Sequence, residues 1–163
     1  MKKGYKLTAA LMTGAMMFAG MQVIHAAPPT TTGTEGNPAQ IKLRKGIEMP
    51  TGTSTPAGTA TFKLTAKSVD GAPATPTNMP AIANQTVTFT AGDPGDSSTD
   101  VAGVKTVYKK RANLLAGVVF PHAGEYIYEV EETAGGFTLT NNATLSEVME
   151  YSTKKYQMQV LVA

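Results

Sequence analysis

The chain has 163 residues with no cysteine, no tryptophan and two histidines, and its formal net charge is +2. The absence of cysteine excludes disulfides, thiolate metal sites and a cysteine nucleophile. Three of the 14 basic residues (Lys2, Lys3 and Lys6) lie at the N-terminus, so the rest of the chain carries 11 basic against 12 acidic residues. We therefore expect no nucleic-acid partner, no metal and no cofactor. The length favours a single domain.

Residues 1–26 have the layout of an export signal. A basic start is followed by an apolar run from Leu7 to Ile24, and small residues at Ala26 and Ala27 precede two prolines. This layout is typical of a secretory signal peptide, and we expect cleavage after Ala26. An uncleaved membrane anchor is the alternative, because the run is close to the ~18 apolar residues that a spanning helix needs.

Residues 27–40 are rich in proline, threonine and glycine, and this composition predicts a flexible spacer. From Ile41 onward, short segments alternate between apolar and polar residues and are separated by turn-rich loops, one of which covers 93–103. The first segment has a predicted bulge near Gly46. The predicted strands are 41–49, 59–67, 85–91, 104–108, 124–133 and 154–163. Since no 3.6-residue period is sustained, the pattern predicts an all-β sandwich over 41–163.

The segment 124–133 has the clearest alternation in the chain. One face carries the apolar or aromatic side chains of Tyr126, Tyr128 and Val130, and the alternation places Glu125, Glu129 and Glu131 on the opposite face. Glu132 follows in the same phase, so the pattern predicts a carboxyl that points towards the interior.

Lys45 is a second charged residue whose side chain is predicted to point towards the interior. It lies in the first predicted strand and continues the phase of Ile41 and Leu43. Burying the side chains of Lys45 and Glu132 on different strands costs free energy unless the two groups interact with each other. An edge salt bridge, or exposure at the strand ends, is one interpretation. The other is an intramolecular isopeptide bond, in which a buried neutral lysine attacks an asparagine amide while a carboxylic acid polarises that amide and carries protons.

Three segments of this chain resemble the backbone pilins of Gram-positive bacteria, and most closely the streptococcal FctA-type isopeptide-linkage pilin domain. The segments are TATFKLTAK, VVFPHAGEYIYEVEET and YSTKKYQMQVLVA. The family's Gly-x-Tyr-x-Tyr-x-Val-x-Glu pattern is matched by Gly124, Tyr126, Tyr128, Val130 and Glu132. A Tyr-Asp-Thr-type turn before a Tyr-x-apolar-x-Val strand is matched by Tyr151, Thr153, Tyr156, Met158 and Val160, with Ser152 in place of the usual aspartate.

The resemblance implies an Ig-like (CnaB-like) β-sandwich that serves as a structural subunit of a pilus on the cell surface. It implies Lys45 as the cross-linking nucleophile and Glu132 as the proton shuttle, in a protein that is not an enzyme beyond this self-cross-linking. The partners it implies are other pilin subunits, sortase and the peptidoglycan envelope, with host ligands as a further class.

The chain departs from the family's pattern at its C-terminal end. The family's acceptor asparagine lies on a last strand, beyond the one that ends this chain. The asparagines present all precede that strand: Asn37, Asn78, Asn84, Asn113, Asn141 and Asn142. The LPxTG-type sorting signal is also missing from the sequence. We therefore expect a sandwich that lacks its last strand, with the acceptor supplied by a longer precursor or by another chain.

A ligand-binding surface module for carbohydrate or host matrix is the alternative function. Its site would use Tyr126, Tyr128 or the loop 93–103, and exposed tyrosines would favour it. The aspartates of that loop could hold calcium, but the spacing is not that of an EF-hand, which favours a solvated loop. An enzyme is not predicted, because no nucleophile, base and orienting group are visible together.

Overall fold

The computed structural model describes residues 7–11, 30–34, 36–140 and 146–163. Most of the predicted export signal (1–6 and 12–26) and the first residues of the predicted spacer lie outside this part of the chain. The described residues form ten strands: β1 (Leu7–Leu11), β2 (Thr30–Thr32), β3 (Lys42–Pro50), β4 (Gly58–Val69), β5 (Ala72–Pro73), β6 (Gln85–Phe89), β7 (Ser97–Val101), β8 (Val104–Asn113), β9 (Gly124–Thr133) and β10 (Lys155–Val162). They include no helix long and apolar enough to cross a membrane.

The strands form two antiparallel sheets, which confirms the predicted all-β class. The larger sheet has the order β2-β1-β10-β9-β4, and both β5 and β6 pair with the far edge of β4. Its central strand is β9, where Tyr128 lies opposite Met158 of β10 and Ala66 of β4. The smaller sheet has the order β3-β8-β7.

The bulge predicted near Gly46 of the first sandwich strand is not found there, and the irregularity in this strand pair places the extra residue on β8 rather than on β3. The register of β3 and β8 shifts between Lys42 and Arg44, not near Gly46. Gly46 instead pairs directly with Tyr108, and a Cβ placed on Gly46 would lie 2.8 Å from the Tyr108 ring. A glycine at this position therefore leaves room for the aromatic ring that covers the strand.

The prediction of a loop over 93–103 is wrong for its second half, because Ser97–Val101 forms the edge strand β7. All five residues of β7 are exposed. An edge strand that is exposed on both faces shows no apolar alternation, so the periodicity could not reveal it. Its partner β8 extends to Asn113, five residues beyond the predicted end.

The core lies between the two sheets and is built from the inward phases of β3, β4, β6, β8, β9 and β10. Its largest fully buried side chains are those of Tyr126, Tyr128, Phe89, Met158, Val107, Val130 and Val160. Burial of each such aliphatic or aromatic side chain stabilises the fold by about 1.5–3 kcal/mol.

The sequence predicted a sandwich that lacks the strand that would follow β10, without saying which sheet edge would be left open, and one such edge is the outer edge of β10. In the structure β1 pairs with this edge in antiparallel register, from Leu7 opposite Val162 to Leu11 opposite Met158. β2, from the predicted spacer, pairs with the far side of β1. Five residues of the predicted export signal thus complete the sheet.

Candidate cross-linking site

The structure brings Lys45 and Glu132 together between the two sheets. Lys45 is on β3 in the smaller sheet and Glu132 is on β9 in the larger one. The Lys45 Nζ atom lies 2.8 Å from Oε1 of Glu132 and donates a hydrogen bond of 2.9 Å to Oε2. The two side chains are 10% and 3% exposed, so the pair lies in the interior.

The local sequence explains why each side chain points inward. The buried positions of β3 alternate through the strand, with Leu43 and Ile47 on either side of Lys45. Glu132 follows Val130 in the inward phase of β9 and lies opposite Phe62 of β4. The prediction that both residues turn inward is therefore confirmed, and exposure at the strand ends is excluded.

The hydrogen bonding of Glu132 is uneven between its two oxygens. Oε2 accepts the bond from Lys45 and a second one of 3.2 Å from the backbone N–H of Ser152. Oε1 is buried close to Nζ, but among the described residues it has no donor in hydrogen-bonding geometry. Ser152 makes this contact through its backbone N–H, so the contact does not depend on the side chain at position 152. One carboxylate oxygen thus has capacity for a further donor.

The arrangement can supply both halves of an amide-forming reaction. An amide-forming reaction would need one proton to move from Lys45 to Glu132, which would leave an uncharged amine beside a carboxylic acid. The amine is then a nucleophile, and the acid can donate to a carbonyl oxygen. Reaction also requires an acceptor carbonyl within reach of Nζ.

Two of the described asparagines, Asn113 and Asn78, use their side chains elsewhere. Asn113 Oδ1 accepts hydrogen bonds from the backbone N–H groups of Ile41 and Leu115, at 3.0 and 3.1 Å. Asn78 closes a turn through a 2.7 Å bond from the N–H of Thr75. Asn141 and Asn142 lie outside the described residues.

A second inward lysine was missed by the sequence analysis. Lys109 on β8 lies directly opposite Lys45 and forms an ion pair with Asp93. The hydrogen bond from Lys109, helped by a 2.8 Å bond from the Gly95 N–H, holds the pKa of the Asp93 carboxyl below its usual range. The signal that could have found Lys109 is its alternation with buried Val107.

The acidic loop does not assemble into a metal site. Asp93 is engaged by Lys109, and Asp96 accepts a 2.9 Å hydrogen bond from the Lys110 N–H. No group of three or more histidine, cysteine, aspartate or glutamate side chains in the described ranges could hold a metal ion.

Tyr126 and Tyr128 do not form an aromatic platform. Both are 0% exposed, and their hydroxyls donate 2.8 Å bonds to the backbone carbonyls of His122 and Pro80. Burial, with a smaller effect of Tyr126, raises the pKa of the Tyr128 hydroxyl well above its usual range. These tyrosines are core residues, and a flat ligand cannot stack on them.

The other glutamates of β9 face outward, as the alternation predicted. Lys155 of β10 lies 3.0 Å from carboxylate oxygens of both Glu129 and Glu131. Its hydrogen bonds to the two carboxylates raise the pKa of Lys155, and the bond from Lys155 lowers the pKa of Glu129. This network is on the surface, with 57% of the Lys155 side chain exposed.

Comparison of the sequence with protein-family models and with curated proteins found no match.

Proposed function

We propose that this protein is a structural subunit of a pilus on a Gram-positive cell surface, with Lys45 and Glu132 as the site of an intramolecular isopeptide bond. The observation that carries the proposal is a buried lysine–carboxylate pair between the two sheets, in which one carboxylate oxygen has no hydrogen-bond donor among the described residues. A buried ion pair can often be replaced by apolar residues without loss of stability. Stability alone therefore gives little reason for this pair, which favours a chemical role.

The reaction would join Lys45 to an asparagine that is not among the described residues. The neutral Nζ attacks the side-chain carbonyl carbon of the asparagine, and a new carbon–nitrogen bond forms. Glu132, in its protonated form, donates its proton to the leaving amide nitrogen, and its carboxylate takes up the proton that Nζ loses, so the acid is regenerated. The amide nitrogen leaves as ammonia, so each bond removes one ammonia from the mass of the chain.

Such a bond suits a load-bearing protein without cysteine. A covalent link between strands of different sheets limits extension of the chain, as a disulfide would, but is not broken by reductants. The protein would be exported by its N-terminal signal, joined to other pilin subunits by sortase and attached to the peptidoglycan envelope. It turns over no substrate, and host ligands are partners of the assembled fibre.

The binding-module alternative receives less support. Exposed tyrosines at positions 126 and 128 would have favoured it, and both side chains are fully buried. The remaining candidate, the loop 93–103, is partly engaged in an ion pair and partly in an edge strand.

The test is the intact mass of the protein extracted from its native cell wall, measured beside a denaturing gel. We expect a ladder of heavy species on the gel and a monomer mass lower than the encoded mass by one ammonia per bond. The variants Lys45→Arg and Glu132→Gln should restore the full encoded mass. Lys109→Arg is the matched control, because it alters the neighbouring inward lysine and should leave the ammonia loss unchanged. A cross-link that persists in both site variants would exclude the assigned roles.

A further inference from the structure

The five residues Leu7–Leu11 are a strand of the larger sheet and are also part of the predicted export signal. In the structure they form β1, which pairs with β10 over its last five residues. In the sequence they begin the apolar run of the predicted export signal. A segment that enters the membrane as an export signal and is then removed cannot also remain as a strand of the sandwich.

The edge that β1 covers is well suited to accept a strand. β10 contributes Met158 and Val160 to the core, both 0% exposed, while its other edge is paired with β9. Removal of β1 would leave a row of unpaired N–H and C=O groups beside this apolar inner face. Such an edge is a template for an added strand.

We propose that the outer edge of β10 is a strand-docking surface, occupied by the chain's own Leu7–Leu11 until the export signal leaves. The occupant is named by the register, in which each residue of β1 has a partner between Met158 and Val162. β1 is thus a temporary strand that protects the edge from pairing with other chains before export.

The inference deepens the proposed cross-linking function, on which its consequence for timing rests. Following β10 back from Met158, Tyr156 pairs with Val130, two residues before Glu132 on β9. β1 covers Met158–Val162, and the stretch of β10 nearest Glu132 begins at Lys155, so the two stretches of this edge adjoin. A strand that pairs with the whole length of β10 and carries an amide towards Glu132 would therefore compete with Leu7–Leu11, and its docking would follow removal of the signal.

The first experiment is residue-resolved amide hydrogen exchange on the full chain. Ala9→Pro/Ala10→Pro removes two consecutive N–H groups of β1, one of which points to β10 because successive strand residues alternate. We expect every second amide between Met158 and Val162 to exchange at least ~10-fold faster, since those amides face β1. The remaining amides of β10 face β9 and should keep their protection.

Two controls separate loss of β1 from general unfolding. Ala9→Ser/Ala10→Ser keeps both N–H groups and should exchange like the unmodified chain. Amides at the β4–β9 junction should stay protected in all variants. Unchanged exchange at every β10 amide of the proline variant would overturn the proposal.

The second experiment does not depend on how the proline variant folds. The full chain is cleaved with signal peptidase, and a labelled peptide of residues 5–13 is added. We expect the peptide to bind the cleaved chain and to restore slow exchange at the same alternate amides, whereas the proline-substituted peptide should do neither. If the cleaved chain neither binds the peptide nor regains slow exchange at these amides, the proposal is overturned.

These readouts separate the inference from the proposed function. Hydrogen exchange and peptide binding report on the β10 edge whether or not any isopeptide bond forms. Loss of ammonia reports on Lys45 and Glu132. An edge that exchanges strands in a protein that never loses ammonia would support the docking surface and reject the cross-link.

Discussion

Two lysine–carboxylate clusters of this protein have nearly equal distances and very different surroundings. Inside the sandwich, Lys45 lies 2.8 and 2.9 Å from the oxygens of Glu132, and both side chains are at most 10% exposed. On the outer face, Lys155 lies 3.0 Å from Glu129 and from Glu131, with 57% of its own side chain exposed.

The comparison shows that the environment of an ion pair, more than its distance, sets its energetic and chemical meaning. Water screens the outer network, which can lose a partner at little cost. The inner pair has given up its hydration, so either group without the other is a buried charge. Under the proposed function, the inner pair is also the one that exchanges a proton to give the uncharged amine and the acid that amide formation needs.

The largest expected effect comes from breaking the inner pair. In protein that carries no isopeptide cross-link, Lys45→Ala or Glu132→Ala should lower the free energy of unfolding by about 3–5 kcal/mol. The reason is that each substitution leaves the other group as an uncompensated buried charge. Urea unfolding of the full chain measures this. The double variant Lys45→Met/Glu132→Leu should recover most of the loss. If the single variants unfold at the same urea concentration as Lys155→Ala, removing one partner of the inner pair does not leave an uncompensated buried charge.

Tyr128 offers a second interior test. Tyr128→Phe leaves the half-buried Pro80 carbonyl without this donor and should cost about 1 kcal/mol. Because burial raises the pKa of the Tyr128 hydroxyl above its usual 10.0, its contribution is complete below pH 10.0 and is lost as the pH rises further. Urea midpoints measured on both sides of this value should therefore fall less steeply for Tyr128→Phe than for the unmodified chain. Parallel pH profiles would show that the hydroxyl ionises as freely as in water.

Asp93 and Lys109 lie between the two extremes, with side chains 12% and 28% exposed. Asp93→Asn should cost about 1 kcal/mol at neutral pH, through loss of the charge-assisted bond to Lys109. Since the folded pKa of Asp93 lies below its usual 3.8, the contribution is present above that value and is lost as the pH falls through the folded pKa. Thermal unfolding of the two proteins should converge in acid, and a constant difference across the pH range would contradict the assignment.

The smallest effect is expected for Lys155→Ala on the outer face. Its raised pKa means that the contribution is present below the usual value of 10.5 and disappears at higher pH, while the lowered pKa of Glu129 removes it in acid. Between these limits we expect a shift in the unfolding midpoint close to the error of measurement, and none at high salt, because salt screens exposed charges. A large drop in the unfolding midpoint of Lys155→Ala that persists in about 1 M salt would show that this network is not screened as exposed charges are.

Much of the inner face could be predicted from alternation alone. Period-2 phasing in β9 and β3 was sufficient to place Tyr126, Glu132 and Lys45 inside, because side-chain direction in a strand follows position in the sequence. It failed for β7, whose residues are all exposed, and it misplaced the bulge, because pairing partners rather than local composition fix where a register shifts.

The sequence by itself determined the all-β class, the inward phase of Lys45 and Glu132 and the outward phase of the remaining β9 glutamates. These properties depend on neighbours along the chain. Only the tertiary structure decided that the two inward charges meet across the sheets, that Lys109 turns to Asp93, and that Leu7–Leu11 covers the edge of β10. Each of these contacts joins residues distant in the sequence, and hydrophobic phasing carries no information on which strands become neighbours.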